Sequence, residues 1–254
     1  MRAATNPSVR RLAAAAIGLA MVPALMGCGG DDGDGRGTAP GAASAASGLR
    51  LTITTDNGVR LRPTDGDEVG VDQAVAHHWS RHDGARVLDL NCRDQEGSGR
   101  PCPRMPEIDV PAGIAVTVTA RNAGIDAAGL SGPLDLTTVN GDVTVADSGA
   151  DDASLRLVTR NGSVHTTSVR ASALGVRTVN GDVTLDCATA PRRVSARTVN
   201  GSVDVAVPHD APGYRVDATT DNGRPAITLP DAAGGSSRTM TLATVNGDVR
   251  ADRL

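Results

Sequence analysis

Few side chains in this sequence are suited to chemistry. His77, His78 and His82 form its histidine cluster, and on a helix His78 and His82 would share a face at the spacing of a metal-binding pair. No Glu follows His78 and no helical period surrounds the group, so a solvated strand edge with Trp79 turned inward is the expectation. Cys92 and Cys102 bracket nine positions rich in glycine and polar residues. In an oxidising compartment they would close a disulfide loop contributing roughly 2 to 3 kcal/mol if unstrained, and their spacing is not that of a compact zinc knuckle. Cys187 has no evident partner and reads as a buried free thiol.

Asp142, Asp182 and Asp248 each follow an Asn-Gly pair, with Ser163 and Ser202 in the same place elsewhere. Stacked, they could line up calcium ligands, but a repeat of about 20 residues is not the nonapeptide of calcium-binding β-rolls. Turn-favouring, solvent-facing acids are expected instead. Asp31, Asp32 and Asp34 lack the ligand spacing and terminal Glu of a calcium loop. Gly129-Leu130-Ser131-Gly132 is not a nucleophile elbow, and neither a phosphate-cradling loop nor a dinucleotide fingerprint occurs. Parallel β-helices can be polysaccharide-active enzymes, yet such sites grip sugars with aromatic platforms and paired carboxylates. This chain has one Trp, one Tyr and no Phe. No catalytic residue, metal or cofactor is expected, and the protein is read as a non-enzyme.

The elements that hold these residues begin with a targeting segment. Residues 1–27 carry Arg2, Arg10 and Arg11 and then an apolar run from Leu12 to Met26, the layout of a signal peptide. A membrane span needs about 20 apolar residues, and this run is shorter and holds Pro23. Its end, Leu25-Met26-Gly27-Cys28, resembles the lipobox of bacterial lipoproteins. That resemblance implies that Cys28 is acylated and becomes the new N-terminus, where several acyl chains anchor stably. Residues 28–48 have the Gly, Asp, Ala, Ser and Thr composition of a flexible linker. Export would remove the three arginines and take the formal charge from −4 to −7, which argues against nucleic acid as a partner.

From residue 49 to residue 254 a repeat organises the chain. Asn-Gly recurs at Asn57, Asn140, Asn161, Asn180, Asn200, Asn222 and Asn246, and Thr stands two residues before every one. From Asn140 the spacings are 21, 19, 20, 22 and 24. Six and four residues before each Asn lie apolar or small residues, such as Leu155 and Leu157, and three after come Val143, Val164, Val183, Val203 and Val249. Alternation of this kind between turn signals is a strand signature. Asn-Gly suits positions of positive φ, either in hairpin turns or at the corners of a parallel solenoid. Identity at one position per repeat favours the solenoid, where it makes columns and an Asn column can form a hydrogen-bond ladder. The fold class is therefore all-β, a parallel β-solenoid, with the irregular insert 66–111 capping or preceding the regular coils.

The repeated units, for example Thr178 to Val183, resemble the DUF4097 family, also known as an adhesin domain and common in bacterial surface proteins. Actinobacterial members are similar also in a cysteine pair followed by an apolar strand with proline, here Cys92, Cys102 and Ile108 to Gly113. The resemblance implies a solenoid-like fold and an envelope location but no chemistry. The expected protein is a surface lipoprotein at the outer face of the cell membrane, binding an envelope protein or polymer through its stacked face. The alternatives are an envelope-stress sensor or scaffold working through a protein partner, and a polysaccharide-active enzyme.

Overall fold

The computed structural model describes residues 49–91, 103–232 and 237–254, all within the compact unit Ala42–Leu254. Cys28, Cys92 and Cys102 lie outside the described residues. In chain order the strands are β1 (Arg50–Thr54), β2 (Val59–Thr64), β3 (Gly70–Val71), β4 (His78–His82), β5 (Ala85–Asp89), β6 (Glu107–Pro111), β7 (Ala115–Thr119) and β8 (Ile125–Ala128). There follow β9 (Leu134–Thr137), β10 (Val143–Ala146), β11 (Ser154–Val158), β12 (Val164–Val169), β13 (Ala173–Arg177) and β14 (Val183–Cys187). The last are β15 (Arg193–Arg197), β16 (Val203–Val207), β17 (Arg215–Asn222), β18 (Pro225–Ile227), β19 (Thr239–Asn246) and β20 (Val249–Arg253).

These strands build two ten-stranded sheets, β17-β19-β15-β13-β11-β9-β7-β1-β5-β4 and β18-β20-β16-β14-β12-β10-β8-β2-β6-β3. The strand before an Asn-Gly belongs to the first sheet and the strand after it to the second, and each pairs in parallel with the equivalent strand of a neighbouring coil. The Asn-Gly pairs are thus corners of a parallel solenoid rather than hairpin turns.

The core follows from the repeat. Leu134, Leu155, Leu174, Val194 and Met240 stack as one buried column, and Leu136, Leu157, Val176, Ala196 and Leu242 as a second. Val143, Val164, Val183, Val203 and Val249 face them from the other sheet. Aliphatic and β-branched side chains of similar size fill the narrow interior between the regular strands. The one buried tyrosine, Tyr214, lies in a return loop and donates its hydroxyl to Pro191 O at 2.8 Å.

Stacking order departs from chain order at both ends. Thr239 of β19 pairs with Arg193 of β15 on one side and Arg215 of β17 on the other, so the last coil lies inside the coil that precedes it. Likewise β1 sits between β5 and β7. The longer spacings of 22 and 24 around Asn222 match this detour, since the chain must pass one coil outward and then return. In consequence the first and last strands are paired along both edges.

The stretch 66–111 is more regular than its composition suggests. Its β5 and β6 complete a coil on the outer side of β1 and β2. Beyond them β4 and β3 add antiparallel strands, which close the parallel stack at that end. At the opposite end the outermost strands carry Arg215, Asp217, Asp221 and Pro225, residue types that discourage edge pairing.

Candidate binding surface

Each corner presents three stacked columns, and each repeated polar residue has a task between coils. The buried Thr two residues before Asn reaches across to a neighbouring corner. Thr159, Thr178 and Thr198 donate their hydroxyls to the carbonyl oxygens of Gly141, Gly162 and Gly181 at 2.8, 2.8 and 2.9 Å, and Thr244 and Thr220 do the same to Gly201 and Gly247. A half-buried carbonyl gains from a partner, so a hydroxyl is favoured where the strand pattern alone would accept valine.

The Asn side chains form a ladder in stacking order. Asn161 donates its amide to Asn140 Oδ1, Asn180 to Asn161, Asn200 to Asn180, Asn246 to Asn200 and Asn222 to Asn246, at 2.8 to 2.9 Å. Asn57 is not one of these six, because the coil carrying Asn122 stands between it and Asn140. Among the described residues, the non-glycine positions with positive φ are Asp83, Asp147 and Ser168. The asparagines therefore keep ordinary backbone, which corrects the expectation of positive φ for both corner residues. They serve the ladder, and glycine serves the corner.

In the third column Asp and Ser alternate over five successive corners in stacking order, Asp142, Ser163, Asp182, Ser202 and Asp248, and the outermost corner carries Arg224, whose N–H Asp248 Oδ1 accepts at 3.0 Å. Each side chain accepts the backbone N–H of the next. Asp142 Oδ1 receives Ser163 N at 2.8 Å, Ser163 Oγ receives Asp182 N at 3.1 Å, Asp182 Oδ1 receives Ser202 N at 2.8 Å and Ser202 Oγ receives Asp248 N at 3.2 Å. Serine does not merely tolerate the place of aspartate here. It keeps carboxylates two coils apart, about 10 Å at a strand spacing of about 4.8 Å, while preserving the acceptor.

The outer sheet faces carry the charges. Asp126 takes Arg62 Nη2 at 3.0 Å and Arg60 Nε at 3.4 Å. The hydrogen bond from Arg62 holds its carboxyl below the usual carboxylate range, against the opposing effect of partial burial and with further help from Arg60. Arg156 pairs with Asp135 at 2.8 Å, and Arg250 with Asp248 and Asp204 at 3.2 and 3.5 Å. Arg177, Arg193 and Arg197 on the first sheet are exposed, as is Arg160 just beyond β11. Beside the ladder run Val139, Val199 and Val245, each more than a third exposed.

The remaining sequence candidates are spread out. His78 and His82 lie on edge strand β4, about 13 Å apart along an extended chain, while the His77 ring bonds Val75 O at 2.8 Å. Trp79 packs half-buried against the core, with the Arg86 guanidinium 4.5 Å from its ring centroid. Among the described residues no three His, Cys, Asp or Glu gather to hold a metal ion. Cys187 is a buried free thiol whose pKa burial pushes up to about 12, with Asp186 adding to the effect. Sequence reasoning placed Asp142, Ser163, Asp182, Ser202 and Asp248 in one column but gave the serines no role, and it passed over Tyr214 and the arginines. Yet the repeat Arg-Thr-Val-Asn-Gly at Arg177 and again at Arg197 was a readable sign of the last.

No curated protein matches the chain. Among solved structures, a candidate cell adhesion protein of Clostridium sporogenes ATCC 15579 is 11% identical, with a TM-score of 0.34 over 82% of this chain and 94% of that one. A candidate adhesin of Bacteroides fragilis NCTC 9343 is 12% identical, with a TM-score of 0.35 over the same shares. The model of the family described as Toastrack DUF4097 matches residues 116–252, from β7 into β20. The chain belongs to the Toastrack DUF4097 family.

Proposed function

We propose that this protein is a lipid-anchored, extracytoplasmic lipoprotein whose solenoid is a rigid, non-enzymatic binding module for a partner in the cell envelope. The observation that carries the reading is the fate of the repeated polar residues. Thr hydroxyls are engaged by glycine carbonyls, Asn amides by one another, and Asp and Ser acceptors by backbone N–H groups. Groups held in this way stiffen a surface and leave little freedom for acid, base or nucleophile chemistry. A stiff face binds with less ordering cost than a flexible one. The anchor rests on Leu25-Met26-Gly27-Cys28 and on the spacer composition of residues 28–48, which would hold the coils away from the bilayer.

Metabolic labelling with an alkyne fatty acid, followed by fractionation, tests the anchoring. Label on the wild-type chain in the membrane fraction, lost together with membrane retention in Cys28→Ala, supports the reading. An unlabelled, soluble wild-type chain contradicts it.

A further inference from the structure

Like charges directly opposed on neighbouring strands destabilise a sheet, and this solenoid avoids them almost everywhere. The corner carboxylates alternate with serine, and Arg60, Arg62, Arg156 and Arg250 lie against carboxylates. Two places are different. Arg81 of β4 faces Arg86 of β5 in antiparallel register, where the Arg86 guanidinium lies over the Trp79 ring. Arg177 of β13 and Arg197 of β15 are direct register partners on the same outer face, both exposed, with their strands about 4.8 Å apart. Arg160 stands just beyond β11, one coil over and two residues further along, and is also exposed. Among the described residues none of the three makes an ion pair within 4 Å. Arg193, four residues back on β15, extends the track towards a groove shared with Asp151 and Asp152.

We infer that the outer face of β11, β13 and β15 is a docking track for a single linear polymer of phosphate groups without bases, held by Arg160, Arg177 and Arg197. This deepens the proposed function and rests on it for the envelope setting alone. Guanidinium forks match phosphate oxygens in bidentate fashion. Separations of about 5 Å across one strand step and about 8 Å on the diagonal suit successive charges of one chain. A flat anionic membrane is disfavoured, because Asp135 on β9 and Asp217 and Asp221 on β17 flank the track on the same face. Single-stranded nucleic acid is disfavoured because its binders stack bases on aromatic rings. Here Trp79 lies on β4 at the far end of the sheet and Tyr214 is buried.

The test is binding of the purified full chain, in neutral detergent, to linear inorganic polyphosphate of about 45 units at several salt concentrations. The variant is R177T/R197T, since Thr119, Thr137 and Thr219 occupy the same column in other coils. The inference expects at least a tenfold weaker Kd, a salt slope shallower by about 1 to 1.5, and a Tm no lower than wild type because the repulsion is gone. R81T, on β4, should bind as wild type does. Unchanged affinity in R177T/R197T overturns the inference. So does equal binding of single-stranded DNA of matched length, or equal capture by vesicles containing anionic phospholipid. Because the assay does not depend on acylation, its failure is separable from failure of the Cys28 labelling experiment.

Discussion

Thr178 Oγ1 donates to the carbonyl oxygen of Gly162, one coil away, at 2.8 Å. The same contact from threonine to a neighbouring glycine carbonyl recurs for Thr159, Thr198, Thr220 and Thr244, whereas Thr138 donates to Ala123 O and Thr55 Oγ1 accepts Asn57 N. Thr178→Val preserves shape and strand preference but takes the hydroxyl partner from a half-buried acceptor. It should cost about 1 to 3 kcal/mol in urea unfolding, and Thr178→Ser should recover most of that loss. A Val variant as stable as wild type would show that the hydroxyl is dispensable.

Glycine at the corner has a steric cause that can be isolated. Gly181 has φ 148°, and a Cβ there would collide with the Gly162 carbonyl oxygen. Gly181→Ala should therefore lower stability by more than 1 kcal/mol, about the least expected where alanine does not fit the native backbone. Gly175, in the middle of β13, has Leu155 O at 3.9 Å as the nearest neighbour of such a Cβ. Gly175→Ala should be neutral or stabilising by up to about 1 kcal/mol. Thermal denaturation of the two variants side by side decides this, and equal losses would contradict the assignment.

The ion pairs of Asp126 give the fold an acid-sensitive element. Its pKa is lowered in the folded state, so the stabilisation is present above the unfolded carboxylate pKa and is lost as pH falls through the folded one. Asp126→Asn should thus be less stable than wild type at pH 7, with the difference closing below about pH 4. Urea midpoints measured from pH 7 to pH 2 follow it. A gap that widens in acid would reverse the sign and refute the linkage.

The inward position of the last coil predicts that the C-terminus does not fray. Amides of β19, paired with β15 and β17 on its two edges, should exchange with deuterium as slowly as those of β13. Those of β17, at the margin of the sheet, should exchange faster. Rapid exchange throughout Thr239 to Asn246 would mean that the coils stack in chain order after all.

Much of this architecture was legible in the sequence, because a solenoid writes its cross-section into every repeat. Leu155, Leu157 and Val164 announced the strands, and Asn161-Gly162 the corner between them. Stacking order was not legible, since any coil carrying the shared pattern can lie against any other. Only the longer connections around Asn222 hinted at the inversion. The role of asparagine was half read: its ladder followed from repetition, but positive φ was assigned to it, whereas at the corners it falls on Gly141, Gly181, Gly201 and Gly247. The arginine track was hidden for a different reason. Arg177 and Arg197 are ordinary solvent-facing residues until register sets them side by side, and register belongs to pairing rather than to composition.

The central claim is that the repeated residues build the rack and that recognition falls to arginines the stacking does not need. Side-chain NMR of the intact chain during titration with linear polyphosphate tests this most directly. The Nε–H signals of Arg160, Arg177 and Arg197 should shift together, while the ladder amides of Asn161, Asn180 and Asn200 stay in place. Movement of the asparagine amides with the arginine signals unmoved would contradict it.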